Sequence, residues 1–288
     1  MTALFALATS LLWGLADFGG GLLTRRIPAL TVVAVSQTCT IVVLGTVVAV
    51  TGGWHEAGPQ LWFAVGAGVV GTVAMLAFYR ALALGPMGVV SPLGSLGVAV
   101  PVAVGLVLGE RPGVLQFGGI AVAVVGVVLA GGPELRGAPV QRQAIALTLV
   151  AAVGFGAVMA LISEASTTVT GLFLALLVQR LTNVVVGGSA LLATVRRGGS
   201  ALPGDGGALV VVRALPALAF VGLADVAANG SYALAAQHGP VTVAAVLASL
   251  YPVITALAAR SFLSERLRTV QAAGAGLALL GAVLLATG

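Results

Sequence analysis

The sequence predicts an all-α integral membrane protein: ten transmembrane helices arranged as two inverted five-helix repeats. Three observations carry that prediction. Of the 288 residues, 59% are hydrophobic and 7% charged, which leaves too few polar groups to cover a water-facing surface. Apolar runs of about 20 residues, enough to cross a hydrocarbon core of roughly 30 Å, recur along the whole chain. Landmarks of the first half also return in the second. A β-barrel is excluded because the runs are continuously apolar where barrel strands alternate.

Taken in order, the spans are expected over residues 3–23, 29–51, 60–84, 87–108, 113–131, 143–163, 169–194, 214–236, 240–262 and 268–286. The first has no basic residue ahead of its apolar stretch and runs into Arg25 and Arg26, so it reads as a helix and not as a signal peptide. Cys39, the single cysteine, falls inside the second span, where it forms no intramolecular disulfide and reads as a small buried helix residue. Breaker and charge clusters separate the spans: TRRIP at 24–28, GGWHEAGP at 52–59, GERPG at 109–113, GGPELRGAPVQRQ at 131–143 and RRGGSALPGDGG at 196–207. The fourth and ninth spans carry Ser91, Ser95, Ser249 and Thr242 together with Pro92 and Pro252. Prolines at membrane depth are tolerated where neighbours or water satisfy the freed carbonyls, so these helices are either ordinarily kinked or bent beside a solute path. The tenth span runs to within a residue or two of Gly288, which leaves no tail for a scaffold or regulatory role.

The net charge of +5 comes from thirteen arginines and no lysine. Most stand at helix ends, in the loops after the odd-numbered spans: Arg25, Arg26, Arg136, Arg142, Arg196, Arg197, Arg266 and Arg268. The other side has little beyond Arg111. This is a topology signal and not a nucleic-acid footprint, and the positive-inside rule places those loops in the cytoplasm and both termini outside.

An internal repeat gives the architecture. At an offset of 142, Trp13 and Gly14 match Phe155 and Gly156, Gln37 matches Gln179, Thr40 matches Thr182 and Gly45 matches Gly187. At offsets of 153 to 155, Tyr79 matches Tyr232, Gly85 and Pro86 match Gly239 and Pro240, and Glu110 and Arg111 match Glu265 and Arg266. The halves are read as 1–135 and 140–288, five helices each. An odd helix number puts them across the membrane in opposite senses, with their interface near the midplane, an arrangement typical of transporters.

On these residues the chain resembles the drug/metabolite transporter superfamily, in the form with two EamA-type repeats. The resemblance rests on the Trp13–Gly14 pair, on YRALALGP at 79–86 with its partner SYALAAQHGP at 231–240, and on LGERP…QFGG at 108–119 repeated as LSERL…QAAG at 263–274. It implies a multi-pass inner or plasma membrane carrier of amino acids, other metabolites or drugs, often an exporter, whose halves rock about a central cavity. Glu110 and Glu265 look like the family's signature; at interfacial turns they read as structural residues favouring the next helix's N-terminus.

Ionisable residues inside a span are expensive and must be compensated or used. Asp17, Arg180 and Asp225 qualify, and a pair between Arg180 and Asp225 fits their depths. Asp225, Asn229 and Tyr232 follow at i, i+4 and i+7 and share one helical stripe. Gln179, Arg180 and Asn183 share another arc, and Ser10, Trp13 and Asp17 a third. With Gln37, Tyr79, Ser91, Ser95 and Ser249 these are the candidate substrate-contact or coupling residues. Trp13 beside Asp17 would suit a cationic solute through cation–π contact, so cation efflux stands beside metabolite export, and protonation of Asp17 or Asp225 is the expected coupling step. The 41 glycines pack helices closely in lipid, within the monomer or across a homodimer. An enzyme is disfavoured: His55 and His238 are far apart, no metal-ligand, P-loop or dinucleotide spacing occurs, and the surroundings of Asp17 and Asp225 do not resemble an intramembrane aspartyl protease. No cofactor, metal or nucleic-acid partner is expected.

Overall fold

The computed structural model describes residues 1–98, 100, 113–131, 141–166, 168–204, 206–238, 247–248, 250–263 and 269–287. They form ten principal helices: α1 (Thr2–Thr24), α2 (Ala29–Thr51), α3 (Leu61–Leu84), α4 (Met87–Gly94), α5 (Val114–Gly131), α6 (Arg142–Ala165), α7 (Val169–Arg196), α8 (Gly207–Gln237), α9 (Tyr251–Leu263) and α10 (Thr269–Thr287). Glu110, Glu265, Thr242 and Ser249 lie outside the described residues.

Local chemistry sets the helix ends. Gly52 takes the left-handed conformation (φ 70°, ψ 20°) and returns its N–H to the Val48 carbonyl, closing α2. Pro28 and Pro86, extended at the N-caps of α2 and α4, are pre-shaped for entry into a helix. The Thr168 hydroxyl accepts the Gly171 N–H at 3.0 Å and caps α7. Pro92 lies inside α4, which ends two residues later and tightens into a 3-10 turn over Ser95–Val98. In α8 the helix starts at Gly207, seven residues before the expected 214. The breaker cluster at 196–207 ends where the helix begins, and Arg213 falls within its first turns, where a long cationic side chain can reach back to the interface.

Polarity is arranged inside out. Large apolar side chains face outward on the long helices, among them Leu4 and Leu11 on α1, Val42 and Val50 on α2, Trp62 and Val73 on α3 and Val185 on α7. Ser10, Gln37, Thr40, Gln179, Arg180 and Asn183 are buried. Outward threonines hide their hydroxyls in their own helix, as Thr38 does on Ala34 O (2.7 Å) and Thr46 on Val42 O (2.9 Å). Six helices (α1, α2, α3, α6, α7 and α8) are long and apolar enough to cross a bilayer within the described residues. This is an integral, multi-pass membrane protein.

Helix packing follows the repeat. α1 packs on α8 and α9, and the counterpart helix α6 packs on α3 and α4. The α2–α8 contact has its counterpart in α3–α7, while α2–α7, α4–α9 and α5–α10 pair each helix with its own equivalent. Gly14 and Gly68 permit two close approaches: a Cβ on Gly14 would sit 2.7 Å from Tyr251 O, and one on Gly68 2.8 Å from Gln179 O.

The symmetry is incomplete: α2–α3 and α4–α10 have no comparable α7–α8 or α9–α5 contact among the described residues, and a further break concerns α1 and α3. α1 packs on α3, whereas α6 and α8, their counterparts, make no comparable contact among the described residues. The α1–α3 seam lies at the arginine-rich end. There Gly21 faces Leu82 and Met87, Thr24 donates to Tyr79 O at 3.1 Å, and Phe18 stacks on Phe262 of α9 at 5.6 Å. Ile27, Val32, Val33, Leu218 and Ala259 extend the same buried cluster, just beneath Arg25, Arg26 and Arg260.

Candidate functional site

Above that seal, near mid-depth, the bundle holds a cavity of about 220 Å³. α1 contributes Trp13, Ala16 and Asp17; α3 contributes Gly71, Met75, Phe78 and Tyr79. Four residues of α6, Phe155, Val158, Met159 and Ile162, climb one wall towards the end of the bundle that holds the termini. α7 supplies Leu176, Gln179, Arg180 and Asn183, α8 supplies Asp225 and Asn229, and α9 supplies Tyr251. Phe78 and Phe155 meet edge to face at 5.5 Å and form its floor.

The polar wall is a connected network. Arg180 pairs with Asp225 through Nη2 and Oδ2, and its Nη1 donates to Gln37 Oε1 at 2.9 Å. Gln37 is anchored in turn by donating Nε2 to Met75 Sδ at 3.4 Å. Asn229 donates to the Asp225 carbonyl (2.7 Å) and carboxylate (3.4 Å), as expected one helical turn away. Arg180 Nε and Gln179 Oε1 are buried without a partner among the described residues. Asn183 is best satisfied with its amide nitrogen towards the carbonyls of Gly68 and Gln179, 3.3 Å from the latter.

Asp17 differs from Asp225. It lines the cavity one turn beyond Trp13 and has no hydrogen-bond or ion-pair partner among the described residues. The Trp13 ring lies 6.0 Å from Tyr251, edge to face, and 6.2 Å from Tyr232. The ionisable residues also break the internal repeat: Asp17, Arg180 and Asp225 stand opposite Met159, Thr38 and Thr72.

Eight of the sequence-derived candidates line the cavity: Trp13, Asp17, Tyr79, Gln179, Arg180, Asn183, Asp225 and Asn229. Gln37 stands behind Arg180 and holds it. Tyr232, two turns beyond Asp225, packs with Ala6 and Ala235 and against Trp13 outside the lining. Ser91 is fully buried within α4 with no partner for its hydroxyl among the described residues, and Ser95 bonds back to Pro92 O at 2.7 Å; neither lines the cavity. Val158 and Ile162 of α6 carried no sequence signal, because an apolar side chain facing a cavity reads like one facing lipid; Phe155, the repeat counterpart of Trp13, and Tyr251, a phenol inside the ninth span, carried one that the sequence reading did not use. Among the described residues no group of histidine, cysteine, aspartate and glutamate is placed to hold a metal.

Comparison with known proteins fits this architecture. A solved crystal structure superimposes with a TM-score of 0.58 over 98% of this chain and 95% of its own, at 18% identity, a likeness of fold. No curated protein matches the chain significantly. The EamA-like transporter family matches residues 1–132 and again 142–287. Two copies of one family unit, inverted about a polar cavity in an integral membrane protein, make the chain a member of the EamA-like transporter family, a family of membrane transporters and not of enzymes.

Proposed function

We propose that the protein is a secondary transporter that moves a small solute through the central cavity by alternating access, exporting amino-acid-like or other small metabolites. The observation that carries this reading is the broken symmetry of the helix contacts. α1 and α3 are sealed together at the arginine end, while α6 and α8 make no comparable contact among the described residues. In a pseudo-two-fold molecule the reverse arrangement, with α6 closed on α8 and α1 parted from α3, uses equivalent surfaces. Two such states differ little in free energy, which is what a carrier needs. By the positive-inside rule the sealed end is cytoplasmic, so the conformer described here opens outward and corresponds to the release step of an exporter.

Asp17 supports coupling to protons, because a lone carboxylate in the translocation cavity changes the cavity's charge when it binds one. Flux of a radiolabelled panel of small metabolites, amino-acid amides and amines included, into proteoliposomes, with and without an imposed pH gradient, tests both parts. Accumulation driven by the gradient and abolished in Asp17→Asn is the expected result. Wild-type rate and pH dependence in both Asp17→Asn and Asp225→Asn would remove coupling through these carboxylates, leaving facilitated diffusion. A protein that moves no small metabolite in either direction would remove the transport assignment of this cavity.

A further inference from the structure

The charges around the cavity narrow the chemistry of its solute. Among the described residues the lining holds Asp17, Asp225 and Arg180, a formal charge of one negative. Arg180 is committed: Nη2 to Asp225, Nη1 to Gln37 at 2.9 Å, and Nε buried out of reach. Its side chain is 7% exposed. A solute carboxylate entering this cavity therefore finds no free cationic donor unless the Arg180–Asp225 pair is broken. It also finds Asp17, uncompensated, on the facing helix.

We infer that the cavity selects organic monocations, amines or carboxyl-blocked amino-acid derivatives with an apolar body, and that Asp17 is the residue that receives the ammonium group. This rests on the cavity being the translocation site, as proposed above, and specifies which amino-acid-like solutes it accepts. The aromatic surroundings fit the assignment. Trp13 and Tyr251 bracket the Asp17 region edge to face, and Tyr79, Phe78 and Phe155 supply flat apolar surface below. A cation near such faces gains from the ring quadrupoles as well as from the carboxylate. An anion is repelled by both. A zwitterion places its ammonium well but strands its carboxylate in a poorly hydrated site, and a buried unpaired charge is costly. Arg180, Gln37 and Asp225 are then positioning residues that fix the cavity's charge and shape.

The test uses four ligands with one phenylethyl body: phenethylamine, phenylalanine amide, phenylalanine and 3-phenylpropanoate, measured as thermal shifts of the purified full-length protein. A ligand that binds the folded state raises its apparent stability. The amine and the amide should stabilise, and the amino acid and the acid should not. Asp17→Asn should weaken the two cations by roughly tenfold or more, the usual worth of a hydrogen bond to a charged partner, and Asp17→Glu should restore part of the loss. Equal binding of phenylalanine and its amide, indifference of the cations to Asp17→Asn, or no shift by either cation overturns the inference. Val158→Trp, which fills the cavity, separates the two failures. Cation binding that survives it shows the cavity itself to be misassigned, whereas binding lost on filling but indifferent to Asp17 removes only the charge assignment.

Discussion

Removing Asp225 should be among the most damaging single changes in the molecule, and restoring neutrality should repair most of the damage. Asp225→Ala leaves the Arg180 guanidinium buried with Gln37 as its one remaining partner. Breaking a buried ion pair from one side costs about 3–5 kcal/mol. The lower end applies here, since the Asp225 side chain is 22% exposed and Arg180 7%, and water in the cavity can hydrate part of the stranded charge. Arg180→Met strands the more exposed partner, which keeps Asn229, so its cost is smaller, about 1–2 kcal/mol on the scale of an unsatisfied group. The double variant removes both charges and should cost about 2 kcal/mol less than the sum of the singles. The assay is a double-mutant cycle by reversible unfolding in mixed micelles. Additivity to within ~0.5 kcal/mol would show that the two side chains do not depend on each other and would refute the reasoning.

Other consequences are independent of that pair. Gly68→Val should lower stability by about 1–3 kcal/mol, read as a drop in melting temperature, because a Cβ there meets the Gln179 backbone carbonyl at 2.8 Å and backbone cannot step aside. Thr168→Ala removes the α7 cap and should cost only about 1 kcal/mol, giving a benchmark for a local loss. In a Cys39→Ser background, a membrane-impermeant maleimide should label Ile162→Cys from the face that carries the termini. Leu82→Cys, fully buried in the arginine-end seal, should stay unlabelled from either face; the opposite pattern would invert the assignment of open and closed ends.

The fold was largely legible because the bilayer imposes it: a span must be apolar for a fixed length, and breakers such as Gly52, Pro28 and Pro86 mark where it stops. Legibility failed at the start of α8, expected at 214 and found at Gly207, because an arginine in the first turns of a membrane helix can snorkel and does not mark its end. Within the site, the stripe of Asp225 and Asn229 and the arc of Gln179, Arg180 and Asn183 were readable, because a polar residue inside a span has few places to go. Val158, Met159 and Ile162 were not, since α6 is apolar around them and periodicity cannot separate cavity from lipid; Phe155 was within reach only through its repeat match to Trp13. Tyr232 shares the direction of Asp225 but stands two turns higher, and direction alone does not give depth. The buried Ser91 shows the converse: a hydroxyl within a span can be buried away from the cavity.

The most direct test of alternating access is a pair of spin-label distances in the Cys39→Ser background. One pair, at Arg26 and Arg80, reports the α1–α3 seam; the other, at Glu164 and Leu234, reports the separation of α6 and α8. Measured by double electron–electron resonance across a range of pH and in the presence of phenylalanine amide, the two should move in opposition, the first widening in the population in which the second shortens. Distances that stay single and fixed under every condition, or that widen and shorten together, would contradict a carrier that exposes one cavity to one side at a time.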